Sequence, residues 1–246
     1  MVNLLHNNLD ISSVLFFNQF CGKCVFLDTL ALIFLSVDAL RTAILVAFVM
    51  GIWQYGKIKN DKKANKRVIA ILFSIILTLG IVEILNAVID SNRPIVTYQD
   101  LIKTPIITEN TKLLWNEGWV RNPKHGSFPS DTVALLATMA TGLFLWNRFT
   151  GSVAVLFVLF AGISPRLYFG FHYPSDMLTG VIVSIASTLV IERIKVFDSL
   201  SDKILETEKR FPYLFGVTGF YLAYIIADKF ILLRKLPVWI KSMLGN

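Results

Sequence analysis

VIAILFSIILTLGIVEILNAVI, residues 68–89, carries a single charge, Glu83. A bilayer span takes about 20 mostly apolar residues, so this stretch reads as a membrane helix. The rest of the chain reads the same way. Residues 132–146, 151–163, 177–191 and 211–227 are long and apolar, and the shorter run 42–53 extends back through Ala39 and Leu40. With 54% hydrophobic and only 17% charged residues, the composition excludes an ordinary soluble domain. The expectation is an all-α, polytopic membrane bundle of about six transmembrane helices. Before Leu40, "SSVLFFNQF" reads as an interfacial helix and "CVFLDTLALIFLS" as a short buried or re-entrant one. A basic n-region and a small-residue cleavage site are both missing, so no cleaved signal peptide is expected. The chain divides into an N-terminal interfacial or re-entrant segment, 1–36, a membrane core, 37–193, and a C-terminal helix with a basic amphipathic tail, 194–246, that carries Trp239 and Lys241.

The net charge of +7 does not point to nucleic acid, because much of it sits in one loop, "YGKIKNDKKANKR". There Lys57, Lys59, Lys62, Lys63, Lys66 and Arg67 face the single Asp61. Short loops rich in Lys and Arg stay cytoplasmic; a site for anionic lipid headgroups is the other reading. Placing this loop inside orients every later helix. Helix 68–89 runs outward, residues 94–129 form a long outer loop, 130–146 returns, 150–164 runs outward, and 176–193 comes back to the mixed-charge segment 192–210. Arg93, Ser130, Arg166 and His172 then all fall at the same outer face, although the choice of topology signal did not require it.

Arg93 or Arg166 alone is equally well explained as an interfacial anchor. Together the four residues suit phosphate. Arginine forks match phosphate oxygens, and Pro129 and Ser130 open a helix whose free N–H groups favour an anion. A histidine beside them can attack phosphorus, and Asp176 can accept its other ring N–H and fix the tautomer. This is a constellation for covalent phosphoryl transfer.

These residues resemble the membrane branch of the type 2 phosphatidic acid phosphatase superfamily, most closely its undecaprenyl-diphosphate phosphatases. That family carries K-x6-R-P, P-S-G-H or P-S-D-H, and S-R-x5-H-x3-D in order. Here the three read "NAVIDSNRP", "PSDT" and "SPRLYFGFHYPSD", and the resemblance spans roughly residues 15 to 193. It implies that His172 is the nucleophile forming a phosphohistidine, that Asp176 orients it, and that Arg166, Arg93 and Ser130 bind phosphate. It implies no cofactor and no metal. The substrate is a lipid phosphate or diphosphate within the cell (cytoplasmic) membrane, with the site facing the extracytoplasmic side. Three positions depart from the pattern: Pro165 replaces the serine before Arg166, Asn86 replaces the lysine, and Thr132 replaces the second histidine, which protonates the leaving group.

Losing that acid bears on the substrate. An alcohol leaving group needs a proton as the bond breaks, and general acid help is worth about 10²–10⁴-fold. A phosphomonoester leaves more readily, its second ionisation lying near pH ~6. The substitution therefore favours the terminal phosphate of a polyprenyl diphosphate over phosphatidic acid. Lys124 and His125 stand shortly before the second motif and can compensate, Lys124 for Asn86 and His125 for Thr132; Arg121 is a weaker candidate. Two alternatives stay open: a lipid-diphosphate phosphotransferase, and an inactive member that binds a lipid phosphate. Oligomeric state is not legible.

Other features read as structural. Cys21 and Cys24 have redox or metal spacing but no second ligand pair. Glu83 should face the bundle interior, where Asn86 lies on its face. Trp115 and Trp119 suit the membrane surface.

Overall fold

The computed structural model describes residues 6–103 and 126–228. Among these residues there are ten helices and no strand: α1 (Asn8–Asn18), α2 (Val25–Ser36), α3 (Asp38–Lys59), α4 (Lys62–Val88), α5 (Pro94–Thr97), α6 (Asp131–Trp146), α7 (Arg148–Tyr168), α8 (Pro174–Arg193), α9 (Lys195–Arg210) and α10 (Pro212–Ala227).

Short, well-capped turns set the antiparallel order. α3 ends at Asn60, held in the left-handed region (φ 53°) that a short polar side chain tolerates. The next residue, Asp61, caps α4 by accepting the N–H of Lys63 at 2.9 Å and of Ala64 at 3.3 Å. Asn65 then reaches back across the turn to the Trp53 carbonyl at 2.9 Å. At the next turn Asn147 closes α6 and caps α7, accepting the Thr150 N–H at 3.0 Å.

α6 is the central helix and packs against α4, α7 and α8. It is buried from Asp131 to Ala140 and again at Gly142 and Leu143. Leu135, Leu136 and Met139 meet Leu45 of α3, Ile71 and Ile75 of α4, and Val158 of α7. A second cluster fills the end that carries Val133. It joins Val14 of α1 to Ile95, Leu167, Phe169, Tyr173 and Met177. Small and hydroxyl residues tie helices where there is little hydrophobic drive between them: Thr138 donates to Thr78 at 3.1 Å, and Ser184 to the Ala134 carbonyl at 2.7 Å.

The outer surface is apolar. Ile76 and Ile84 of α4 are each 66% exposed, and Phe220 of α10 is 75% exposed. So broad an apolar exterior fits lipid as the surrounding solvent. α3, α4, α7 and α8 are long and apolar enough to cross a membrane. The six expected apolar helices are all present, but α6 and α10 have 16 residues each, about 24 Å at 1.5 Å per residue, short of a bilayer core of about 30 Å. For α6 the shortfall is harmless, because protein covers most of it.

Two expectations are corrected. α2 is not a buried helix: none of its residues is buried. Apart from Asp28, Thr29 and Ser36 it is apolar all round, so no stripe directs it inward, and it lies along α7 with Phe34 edge-on to Phe157 and Phe160. Glu83 is exposed rather than turned into the bundle. The Asn86 amide donates instead to the carbonyls of Val82 at 3.1 Å and Pro129 at 3.4 Å. The mixed-charge segment 192–210 is largely a helix, α9, whose acidic residues meet the basic loop. Lys57 donates to Glu208 at 2.6 Å, Lys66 pairs with Asp198 at 2.7 Å and Asp202 at 2.9 Å, and Arg67 pairs with Glu192 at the end of α8.

Candidate active site

The third motif is shaped by the way α7 stops. The helix widens to π geometry over Val158–Ile163, resumes over Ser164–Tyr168, and leaves Arg166 in its last turn. Gly170 follows at φ +64°, where a side chain is strained, and a Cβ there would stand 2.7 Å from Ile102. The turn it allows sends the Phe171 N–H back to the Arg166 carbonyl at 2.8 Å. The Gly170 carbonyl accepts the Ile95 N–H at 2.8 Å, which draws the Arg93–Pro94 corner alongside. His172 comes next, then Pro174 opens α8. Asp176, at the third helical position, accepts the Tyr173 N–H at 2.9 Å as part of the cap.

His172 is 3% exposed. Its Nδ1 lies 2.9 Å from the Ser127 carbonyl. A carbonyl only accepts, so Nδ1 carries the proton and Nε2 carries the lone pair. The aspartate does not take that proton directly: Asp176 Oδ2 is 3.6 Å from Nδ1. It accepts the Ser127 hydroxyl at 2.6 Å instead, so Ser127 joins carboxylate to imidazole through side chain and main chain. Burial, then the Arg93 and Arg166 guanidinium groups, hold the His172 pKa well below its ordinary value. At neutral pH the ring is uncharged.

The cations and the helix terminus surround this ring. Arg93, buried, lies over the Phe171 ring at 5.5 Å. Arg166, also buried, folds back to the Gly162 carbonyl at 2.6 Å. Ser130 caps α6, and its N–H donates to the Asp176 carbonyl at 3.1 Å. Its hydroxyl is buried and makes no hydrogen bond among the described residues. Asp131 accepts the Thr132 N–H at 2.6 Å and the Thr132 hydroxyl at 3.2 Å. The arrangement offers a neutral nitrogen lone pair, two guanidinium groups and a helix N-terminus together, which is what phosphoryl transfer uses.

His172, Asp176, Arg93, Ser130 and Arg166 are thus brought together. Asn86 stays close but ties down the Pro129 carbonyl rather than offering a charge. Lys124, His125, Arg121, Trp115, Trp119, Trp239 and Lys241 lie outside the described residues. Cys21 is buried and Cys24 exposed, both as free thiols. No group of three or more His, Cys, Asp or Glu able to hold a metal occurs among the described residues.

Ser127, Arg41, Asp10 and His6 were not anticipated. Ser127 sits in an unpatterned stretch with no signal. Arg41, 1% exposed near the start of α3, shares the electrostatic neighbourhood of Arg166 and Asp131. Its guanidinium is paired with Asp38 and donates to the carbonyls of Phe34 and Leu35, where it closes α2 onto α3. His6 and Asp10 reach the site from the N-terminal segment. Scarcity was the signal for His6, since the chain has three histidines.

The PAP2 superfamily pattern matches residues 67–197, which run from the start of α4 into α9 and hold all three motifs. The chain belongs to the PAP2 superfamily. The bacitracin transport permease protein BcrC of Bacillus licheniformis is 34% identical over 65 residues, 26% of this chain and 32% of that protein. The chain therefore matches about a third of that relative's length. The crystal structure of Aquifex aeolicus LpxE superposes with a TM-score of 0.53 at 20% identity, covering 78% of this chain and 99% of the other. At that identity the likeness is one of fold.

The PAP2 site depends on a close crossing of α6 and α8. A Cβ at Gly180 would lie 2.9 Å from the Ser130 carbonyl and 3.3 Å from the Ala134 N–H nitrogen. Gly180→Val should push the two helices apart, costing about 1–3 kcal/mol as overpacking does, and should move Ser130 away from His172. Gly216→Val is the control, since a Cβ there meets nothing within 4 Å. Thermal unfolding in detergent checks this: a lowered midpoint for Gly180→Val alone is expected, and equal midpoints contradict the packing argument.

Proposed function

We propose that this PAP2 protein is a lipid phosphatase that removes the terminal phosphate of a polyprenyl diphosphate through a phosphohistidine. The observation that carries the reading is the His172 tautomer. Its proton is committed to the Ser127 carbonyl, so Nε2 has a lone pair to attack with, the Arg93 and Arg166 guanidinium groups act on the ring, and Ser130 is tied to Asp176 through its N–H. In the first step Nε2 forms a bond to the terminal phosphorus. The anhydride P–O bond breaks, and the electron pair leaves on the oxygen of the lipid monophosphate. In the second step water attacks phosphorus, the N–P bond breaks, and orthophosphate departs while His172 recovers its lone pair.

The protein sits in the cytoplasmic membrane with this site outward. The basic loop at the start of α4 supports that orientation. It lies at the opposite end of the helix from Arg93, about 40 Å away for the 27 residues of α4.

The test is rapid quenching with undecaprenyl diphosphate labelled with ³²P at the terminal phosphate. Expected are released orthophosphate and acid-labile, alkali-stable label on the protein. With neither, the enzyme reading fails and an inactive lipid-phosphate binder remains. Label that leaves only when an acceptor is added identifies a phosphotransferase. Thr132 favours that second outcome, being buried and hydrogen-bonded to Asp131 where the family carries its second histidine.

A further inference from the structure

His6 lies outside the family-matched region and yet touches the site from behind. Its side chain is 4% exposed and stacks on Tyr173 with ring centroids 3.7 Å apart. Nδ1 meets the Ser175 hydroxyl at 3.1 Å, and Nε2 meets the Ser91 hydroxyl at 3.0 Å. These contacts join the stretch that carries Arg93 to the start of α8. Nε2 also stands 3.7 Å from Asp176 Oδ1, a buried oxygen that makes no hydrogen bond among the described residues. Asp10 holds the other side. Its Oδ2 is 3.9 Å from His6 Nδ1, and its Oδ1 accepts the Ser175 N–H at 3.0 Å. The charged and titratable groups around His6 are therefore Asp10 from α1 and Tyr173 and Asp176 from the start of α8, with Arg93 acting in turn on Asp176.

We infer that His6 is a positioning residue for the reaction: with its proton on Nε2 it turns the positive end of the N–H, across 3.7 Å, toward the second oxygen of Asp176, and so favours the ionised carboxylate aimed at Ser127 and His172. The inference rests on the phosphohistidine reading. When His172 Nε2 bonds to phosphorus the ring becomes cationic, and an ionised Asp176 stabilises it through Ser127. His6 lies on the Nδ1 side of His172, with Asp176 between the two rings, so it acts through the carboxylate and not on phosphorus.

Removing the positive end of a dipole from beside the ionised form raises a carboxyl pKa. Less of Asp176 is then ionised at a given pH, and the acid limb of activity moves to higher pH. Loss of the ring stack alone does not move that limb, so two variants separate the effects. His6→Phe keeps a ring on Tyr173 without the donor, and His6→Gln places an amide N–H near the Nε2 position without the ring. The experiment measures kcat, KM and the pH profile of the full chain in detergent, with a polyprenyl diphosphate as substrate. For His6→Phe, kcat should fall roughly 10-fold, the lower end of the loss when an outer partner that orients a functional histidine is removed. KM should stay near the wild-type value and the acid limb should rise, with His6→Gln restoring both. His6→Ala should shift the limb like His6→Phe, which keeps the test usable if the phenylalanine variant fails to fold. A wild type that turns over while His6→Phe or His6→Ala matches its kcat and acid limb overturns this inference and leaves the phosphatase reading standing. A wild type that releases no phosphate and traps none overturns both.

Discussion

Replacing His172 with alanine should end turnover, with phosphate release down on the order of 10⁶-fold, the scale of deleting the nucleophile from a hydrolase that works through a covalent intermediate. The geometry predicts a graded series below it. Where a carboxylate takes the histidine N–H directly, amidation of that carboxylate costs about 10⁴-fold, because the ring adopts the wrong tautomer. Here the N–H goes to the main-chain carbonyl of Ser127 at 2.9 Å, which side-chain substitution leaves in place. Asp176→Asn should therefore keep the correct tautomer and lose clearly less than 10⁴-fold. Steady-state phosphate release and ³²P trapping measure the series. A His172→Ala protein that still traps label removes the nucleophile assignment. A ten-thousandfold loss in Asp176→Asn shows that the carboxylate, and not the Ser127 carbonyl, fixes the ring in the working enzyme.

The second large effect is a choice of substrate. Wild-type protein should hydrolyse a polyprenyl diphosphate faster than phosphatidic acid by about 10²–10⁴-fold, the usual worth of a general acid. The position where the family places that acid is Thr132, buried in the first turn of α6 with its hydroxyl turned to Asp131. A glycerolipid alkoxide must then leave without a proton from this residue, whereas a lipid monophosphate leaves as a stabilised anion. Matched rates measured in the same mixed micelles are the check. Phosphatidic acid turned over as fast as the diphosphate would defeat the leaving-group argument and point to an acid supplied from elsewhere.

The bundle was legible because lipid demands long apolar runs, and such runs are visible without any partner. The site was legible to the extent that its residues stand at helix ends with fixed spacing. Arg93 beside Pro94, Ser130 after Pro129, and His172 four residues before Asp176 are local patterns. What escaped depends on contacts across the chain. Ser127 and Asp176 are 49 residues apart, and His6 and Ser175 are 169 apart; no periodicity links such pairs. Glu83 was misplaced for a related reason. A charge in an apolar run suggests an inward face, yet the face of α4 that packs is set by Ser74, Ile75, Thr78 and Val82. The ion pairs between α9 and the basic loop escaped as well, because Lys66 and Asp198 lie far apart along the chain.

That last contact has a consequence in time. Lys66 and its partner Asp198 are 132 residues apart. At about 5–20 residues per second of synthesis, the basic loop waits roughly 7–26 s before the acids that neutralise it exist. While α3 and α4 enter the bilayer, the loop is a bare cluster of cations and exerts its full pull toward one side. Once α9 folds against it, much of that charge is spent on ion pairs. The charge that orients the nascent chain is thus larger than the charge the finished protein presents to the membrane surface.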